Sequence, residues 1–236
     1  MSRGCNPDRA AMRGRMVATQ LVERGIRDEN VLRAMRSVPR ENFVGLDHAE
    51  MAYDDWPIPI GAGQTISQPF VVAYMIEALG LRANDSVLEI GAGSGYAAAV
   101  LSEIAKNVFA IERIKEFAEL AKSNLRSAGY SRVQIRHGDG TEGWPEAAPF
   151  DAVLVSAGAP GVPHTLKKQL KIGGRMVVPI GKTPRDQVLM RITRVGRDEF
   201  DKENLGRVRF VPLIGEEAWQ ADRLGFIQDD LVYSFP

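Results

Sequence analysis

The stretch from Ser86 to Ile180 constrains the fold most, because short apolar runs alternate there with segments of helical period. "SVLEI", "VFAIE", "VQIRH", "FDAVLV" and "GGRMVVPIG" read as strands, bounded by glycine-containing loops. Between them "YAAAVLSEIA", "RIKEFAELAKSNLRSAG" and the shorter "HTLKKQL" carry helical spacing, with Gly129 placed to end the second. Strands apolar on both faces and separated by helices belong to a parallel sheet covered on both sides. The tail breaks this alternation. "QVLMRITRVG" and "GRVRFVPLIG" read as strands with no helix between them, hence an antiparallel pair. The expected fold class is a three-layer, Rossmann-like α/β domain with a mainly parallel sheet, antiparallel C-terminal strands and an N-terminal helical cap.

Upstream, "MVATQLVERGI" reads as a helix ended by Gly25, and "DENVLRAMRSVPR" as a second, capped by Asp28 and stopped before Pro39. Residues 1–13 are expected to be disordered. Residues 14–67 form the helices and a long irregular segment, 68–215 the core and 216–236 a tail, all in one domain of 236 residues. The first forty residues carry more arginine than acid, from Arg3 and Arg9 to Arg36 and Arg40, which reads as a solvated helix face. A formal net charge of zero argues against a nucleic-acid footprint, which needs a concentrated basic surface. Cys5 is the single cysteine, so neither an intrachain disulfide nor a cysteine-rich metal site is open to the chain. His48, His137 and His164 share no metal-ligand spacing, and no metal is expected. The methionines, Met75 among them, read as gap-fillers. No run approaches about 18 apolar residues, and no signal peptide is apparent. A soluble, cytoplasmic, monomeric protein is the expectation.

Chemistry enters at "VLEIGAGSGY". Glycines between a strand and a helix let a bound group approach the backbone above a helix N-terminus. Dinucleotide-binding folds use the same turn, but their G-x-G-x-x-G/A fingerprint needs a small residue where this chain has Tyr96. Glu89 sits two residues before the first glycine, poorly placed for a pyrophosphate and well placed for a cationic amino-acid group. The next strand ends in Glu112, suited to a ribose hydroxyl pair, and the one after in "HGDG", with Asp139 suited to an adenine amine. Acids at the ends of three consecutive strands describe a site for a cationic, phosphate-free nucleoside, and S-adenosylmethionine fits. The expected cofactor contacts are Glu89, Gly91, Ala92, Gly93, Ser94 and Gly95 on the methionine side. Glu112, Arg113, Asp139 and Gly140 are expected on the nucleoside side, with Pro69 from the following helix start.

The remaining signal is "GAGQTISQP", which opens into the apolar helix "PFVVAYMIEALGL". Taken in order with "VLEIGAGSGY", "GDG", "APFDAVLVSAGAP", "LKKQLKIGGRMVVPIG" and "VRFVPLIG", it resembles the protein-L-isoaspartate O-methyltransferase family, from about residue 15 to about residue 219. The glycine loop and "GDG" are common among methyltransferases, whereas "GQTISQP" and "RFVPLIG" are specific to this family. The resemblance implies a methyltransferase fold and methylation of the free α-carboxylate of L-isoaspartyl residues in damaged peptides and proteins. The resulting ester closes to a succinimide, part of which opens to normal aspartate. It also implies that Ser67 holds the place of the family's active-site serine, with Gln64, Thr65 and Ile66 beside it in substrate binding.

Elementary chemistry agrees. A carboxylate of ordinary pKa near 4 is already ionised at neutral pH, so methyl transfer to it needs aim and desolvation and no general base. Ser67 is therefore expected to orient the carboxylate and not to act as a nucleophile. It also reads as an N-cap of the helix that follows. Phe70 stands where relatives often carry His or Tyr, and Ser156 and Gly158 replace the usual Thr and Ala. Ile214 and Trp219 are weak candidates for closing the site. A methyltransferase acting on RNA, or a non-catalytic cofactor binder, would be the rival readings. The neutral charge and the intact "GQTIS" segment speak against them.

Overall fold

The computed structural model of the chain describes residues 7–221. It enters through helix α1 (Pro7–Met16), which continues as a π-helical turn over Val17–Val22 and ends before Gly25, whose φ of +102° suits glycine. Helix α2 (Glu29–Ser37) starts where Asp28 accepts from the backbone N–H groups of Asn30 and Val31. Short 3₁₀ turns at Arg40–Phe43 and Leu46–Met51 lead to a small antiparallel hairpin, β1 (Ile58–Gly61) and β2 (Gln64–Ile66). Helix α3 (Pro69–Leu79) follows and stops at Gly80 in the left-handed region.

The alternating core is then β3 (Ser86–Ile90), α4 (Tyr96–Ser102), β4 (Asn107–Glu112), α5 (Lys115–Ser127), β5 (Gln134–His137), β6 (Phe150–Val155), α6 (His164–Lys168) and β7 (Leu170–Thr183). Two antiparallel strands, β8 (Asp186–Arg194) and β9 (Phe200–Val208), complete a seven-stranded sheet of order β5-β4-β3-β6-β7-β8-β9. Strands β3 to β7 run parallel, and β3 lies between β4 and β6. Strand order thus reverses at the β3/β6 boundary, where open α/β sheets leave a crevice at the carboxyl ends. One face of the sheet buries Ile76, Leu79, Val100 and Tyr96 together with Met16, Leu21, Met35 and Phe43 of the N-terminal layer. The other buries Leu88, Ile90, Phe150, Met176 and Val178. The mainly parallel sheet with antiparallel C-terminal strands is as expected. Among the described residues no helix is long and apolar enough to cross a membrane.

Three expectations are corrected. Residues 7–13 are helical and not disordered; Arg9 and Arg13 fix α1 to Glu50 and to Tyr53 and the Arg36 carbonyl. Residues 1–6 lie outside the described part. The last strand spans Phe200–Val208, so "RFVPLIG" leaves the sheet instead of belonging to it. "FDKENL" escaped recognition because an exposed edge strand carries charges where an inner one carries apolar residues. The N-terminal arginines are staples more than a solvated face. Arg24 pairs with Asp55 and covers the Phe70 ring at 3.7 Å, and Arg40 is completely buried.

Glu77 ties the N-terminal layer to the core. Its Oε1 accepts from the backbone N–H groups of both Arg27 (2.6 Å) and Asp28 (2.7 Å), at the entry to α2. Hydrogen bonds to a charged group contribute about 1.5–3 kcal/mol each when lost with their partner left behind. Glu77→Ala is therefore expected to lower unfolding free energy by about 2 kcal/mol in a urea titration. A loss below about 0.5 kcal/mol would mean that water replaces the carboxylate at no cost.

Candidate active site

The glycine loop leaves β3 at Ile90 and turns into α4 through Gly91, Gly93 and Gly95, all at positive φ. At Gly95 a side chain would meet Leu125 at 3.2 Å and the Ala121 carbonyl at 3.3 Å, so this glycine serves the packing of α4 on α5. Glu112, at the end of β4, holds the loop: its Oε2 accepts from Gly93 N–H and its Oε1 from Ile114 N–H, both at 2.9 Å. Backbone bonds leave each oxygen a further lone pair for a ligand hydroxyl.

Glu89 has the opposite environment. It is 1% exposed, and its Oε1 receives only a long bond from Ser156 Oγ at 3.4 Å. Its Oε2 is buried with no partner among the described residues. Burial foremost, then the charge of Glu112, push its pKa up to about 8, against the pull of the Ser156 bond. A buried, unpartnered carboxylate oxygen is costly unless something cationic completes it.

The hairpin β1/β2 faces this loop. Gln64, Thr65 and Ile66 form its second strand, Ile66 buried, and the turn passes through Gly61, Ala62 and Gly63, all at positive φ. Ser67 follows as the link to α3. The reading of Ser67 as an N-cap is corrected: Gln68 occupies that position without a side-chain cap, and Pro69 is the first helical residue. Ser67 lines the cavity together with Gln64, Thr65 and Ile66 of the hairpin.

Across the mouth lies Arg209–Ile214. Gly158 N–H donates to the Val211 carbonyl (2.8 Å) and Leu213 N–H to the Gly158 carbonyl (2.7 Å). The buried Gln187 amide pairs with both backbone groups of Phe210. Asp139 holds the end of this strap. Its Oδ1 accepts from Thr141 N–H and Oγ1, and its Oδ2 from Glu216 N–H, with Gly215 packed against the carboxylate.

One cavity of about 430 Å³ joins these parts, within the usual range for a small-molecule site. Of the residues expected from sequence it brings together Gln64, Thr65, Ile66 and Ser67 with Glu89, Gly91, Ala92, Gly93, Ser94, Glu112, Arg113 and Gly140. Pro69, Gly95 and Asp139 do not line it. Phe70 is also elsewhere, stacked on Tyr74 and covered by Arg24, so its difference from relatives falls outside the pocket. Sequence reasoning missed Val72 and Met75 of α3, Tyr96, and the strap residues Phe210 to Leu213 as lining. The spacing of Val72 and Met75 on one helix face was the available signal. Ile214 lines the cavity as well, and is bridged to Trp219. The cavity therefore has an acidic, loop-lined end that fits a cationic nucleoside and a hairpin end rich in hydrogen-bonding groups.

The raised pKa of Glu89 fixes a sign. Between about 4.5 and about 8 the folded chain holds a proton that the unfolded chain has released. Stability from this group thus falls as pH rises through that window and levels off above it, by about 5 kcal/mol at most. Glu89→Gln is expected to gain stability over the wild type as pH rises from 5 to 8 in the ligand-free protein. Parallel unfolding curves for the two proteins over that range would contradict the assignment.

Residues 12–218 match the family model described as Protein-L-isoaspartate(D-aspartate) O-methyltransferase (PCMT). A Protein-L-isoaspartate O-methyltransferase of Methylorubrum extorquens (strain PA1) is 59% identical over 208 residues, 88% of this chain and 90% of the relative. Protein-L-isoaspartate O-methyltransferase 2 of Pelobacter propionicus is 56% identical over 204 residues, 86% of this chain and 91% of the relative. Among solved structures, a protein-L-isoaspartate O-methyltransferase superimposes with a TM-score of 0.79 at 31% identity, over 87% of this chain and 67% of the other. A Plasmodium falciparum chain assigned as a beta-aspartate methyltransferase (PCMT), solved with S-adenosyl-L-homocysteine, gives 0.74 at 25% identity, over 87% and 98%. Matched over most of its length by sequence and by fold, the chain belongs to the protein-L-isoaspartate O-methyltransferase family.

Proposed function

We propose that this cavity is where the chain methylates the α-carboxylate of L-isoaspartyl residues, with Ser67 at the acceptor end and the glycine loop at the donor end. The observation that carries the reading is that the Gln64–Ser67 segment and the Gly91–Ser94 loop line one and the same cavity. When bound, S-adenosylmethionine supplies an electrophilic methyl group on a cationic sulfur.

The residues present suit that cofactor. Glu89, with its unpartnered buried oxygen, offers an acceptor to the amino-acid ammonium, and the proton it holds near neutral pH leaves as that cation arrives. Glu112 keeps a lone pair on each oxygen for the ribose hydroxyls while its backbone bonds hold it still. Asp139 spends three bonds on Thr141 and Glu216, of about four that a carboxylate accepts. Its part is to hold Gly140 and the strap in place, and Gly140, which lines the cavity, would help to hold the nucleoside. Val72, Met75 and Leu154 supply apolar wall.

At the other end the nucleophile arrives ionised, so the hairpin's task is to aim it. Ser67 and Thr65, which line the cavity, provide hydroxyl donors for its oxygens. Ser67 has no imidazole bonded to it, which suits a positioning donor and not a serine nucleophile.

Two outcomes test the division of labour. Ser67→Ala is expected to lower kcat/KM on an isoaspartyl peptide on the order of 100-fold, as loss of aim does. Calorimetric affinity for S-adenosylhomocysteine should stay within about threefold, since a lost contact elsewhere does not reach the donor end. Unchanged kinetics would remove Ser67 from the acceptor site. Glu112→Ala should instead weaken that affinity by about ten- to a hundredfold, the range of a charged hydrogen bond; unchanged affinity would sink its assignment to the ribose.

A further inference from the structure

Arg40 has no part in the chemistry above, yet it is among the most unusual groups in the molecule. Its guanidinium is completely buried. Nε donates to the Ala52 carbonyl at 2.8 Å and Nη2 to the Ser67 carbonyl at 2.7 Å. Its carbon sits 4.7 Å from the centre of the Tyr96 ring, and Nη1 has no acceptor among the described residues. None of the hydrogen bonds or ion pairs described for it involves a carboxylate. Glu41, the next residue, is engaged by the Tyr53 hydroxyl and by Arg13 at 3.9 Å.

Burying a guanidinium without a counter-ion is costly, and its charge does not titrate away at any ordinary pH. An apolar residue with one amide would hold two carbonyls at less expense. The cost is intelligible if a negative charge arrives later, from outside the chain. Two partners of Arg40 line the cavity: Ser67, which follows the hairpin, and Tyr96, which opens α4 beyond the glycine loop. The cation therefore lies behind the wall that Ser67 and Tyr96 form, hydrogen-bonded to the backbone of the residue to which the proposed function gives the carboxylate.

We propose that Arg40 is a positioning residue for the acceptor, whose buried charge fixes the Ser67 backbone and makes the pocket select an anionic side chain over its neutral twin. The inference rests on the placement of the substrate carboxylate at Ser67. Low local polarisability lets a buried charge act over more than one bond length, and solvent ions do not screen it as they screen a surface lysine.

The test uses the full chain and two peptides, one with isoaspartate and one in which its free α-carboxylate is a carboxamide. The preference is the ratio of the inhibition constant of the carboxamide to the KM of the isoaspartyl peptide. Arg40→Met and Arg40→Gln are expected to shrink this preference at least tenfold, mainly through KM for the isoaspartyl peptide. Arg40→Lys should restore much of it, and affinity for S-adenosylhomocysteine should stay within threefold in all three. Loss of stability with the preference intact would overturn the inference and leave Arg40 a packing residue. Should the neutral variants fail to fold, the wild type decides: a buried source keeps the preference from about 0.05 to 0.5 M salt, and a collapse over that range assigns it to surface charge. Ser67→Ala separates the two readings. If it leaves kcat/KM unchanged, the acceptor site itself is misplaced and both fall. If it lowers kcat/KM while neutral Arg40 variants keep full preference, only the Arg40 inference falls.

Discussion

The reversal of strand order between β3 and β6 is the constraint from which the site follows. Helices crossing to opposite sides of the sheet leave their connecting loops splayed apart above that boundary. Two carboxylates stand in the gap, and they differ in what the fold gives them. Glu112 is satisfied by two backbone N–H groups, so its charge is stable without a ligand. Glu89 is buried with an oxygen unmatched, so it is comfortable as an acid without a ligand and as an anion only with a cation beside it. The carboxyl ends of two neighbouring strands thus hold both a rigid acceptor and a responsive one.

Two further walls of the cavity are added to this frame from outside the alternating core. The hairpin β1/β2 is held from below by Arg40 and from the side by Gln68, whose amide donates to the Asp55 carbonyl. The strap is held by Gln187 and by Asp139, residues that do not themselves line the cavity. Each of these two walls is therefore supported by a buried polar residue, Arg40 for one and Gln187 for the other. Such support is what keeps a loop-built site within the tolerance that methyl transfer requires, because reaction rate depends steeply on aim.

Much of this was legible in the sequence, for identifiable reasons. The parallel strands announced themselves because strands buried on both faces are apolar throughout, and the glycine loop because its turn needs residues without side chains. Glu89 and Glu112 were readable from their distance to the loop. The charged edge strand β9 was not, since its side chains answer to water and not to a core. Asp139 reads in the sequence as a cofactor contact, whereas the structure sets it behind the cavity wall, bonded to Thr141 and to Glu216, a position 77 residues away. Arg40 was hidden among arginines that look alike in a string of letters. Burial, which distinguishes it from Arg33 or Arg36, is a property of the packed chain alone.

The central claim is that one cavity brings a methyl donor to an isoaspartyl carboxylate and to no ordinary aspartyl one. The measurement that meets it most directly is transfer from methyl-labelled S-adenosylmethionine to two synthetic peptides, identical except for isoaspartate in one and aspartate in the other. The account predicts base-labile label on the isoaspartyl peptide alone, as befits a methyl ester. Equal labelling of both peptides, or none on either from protein that still binds the cofactor, would contradict it.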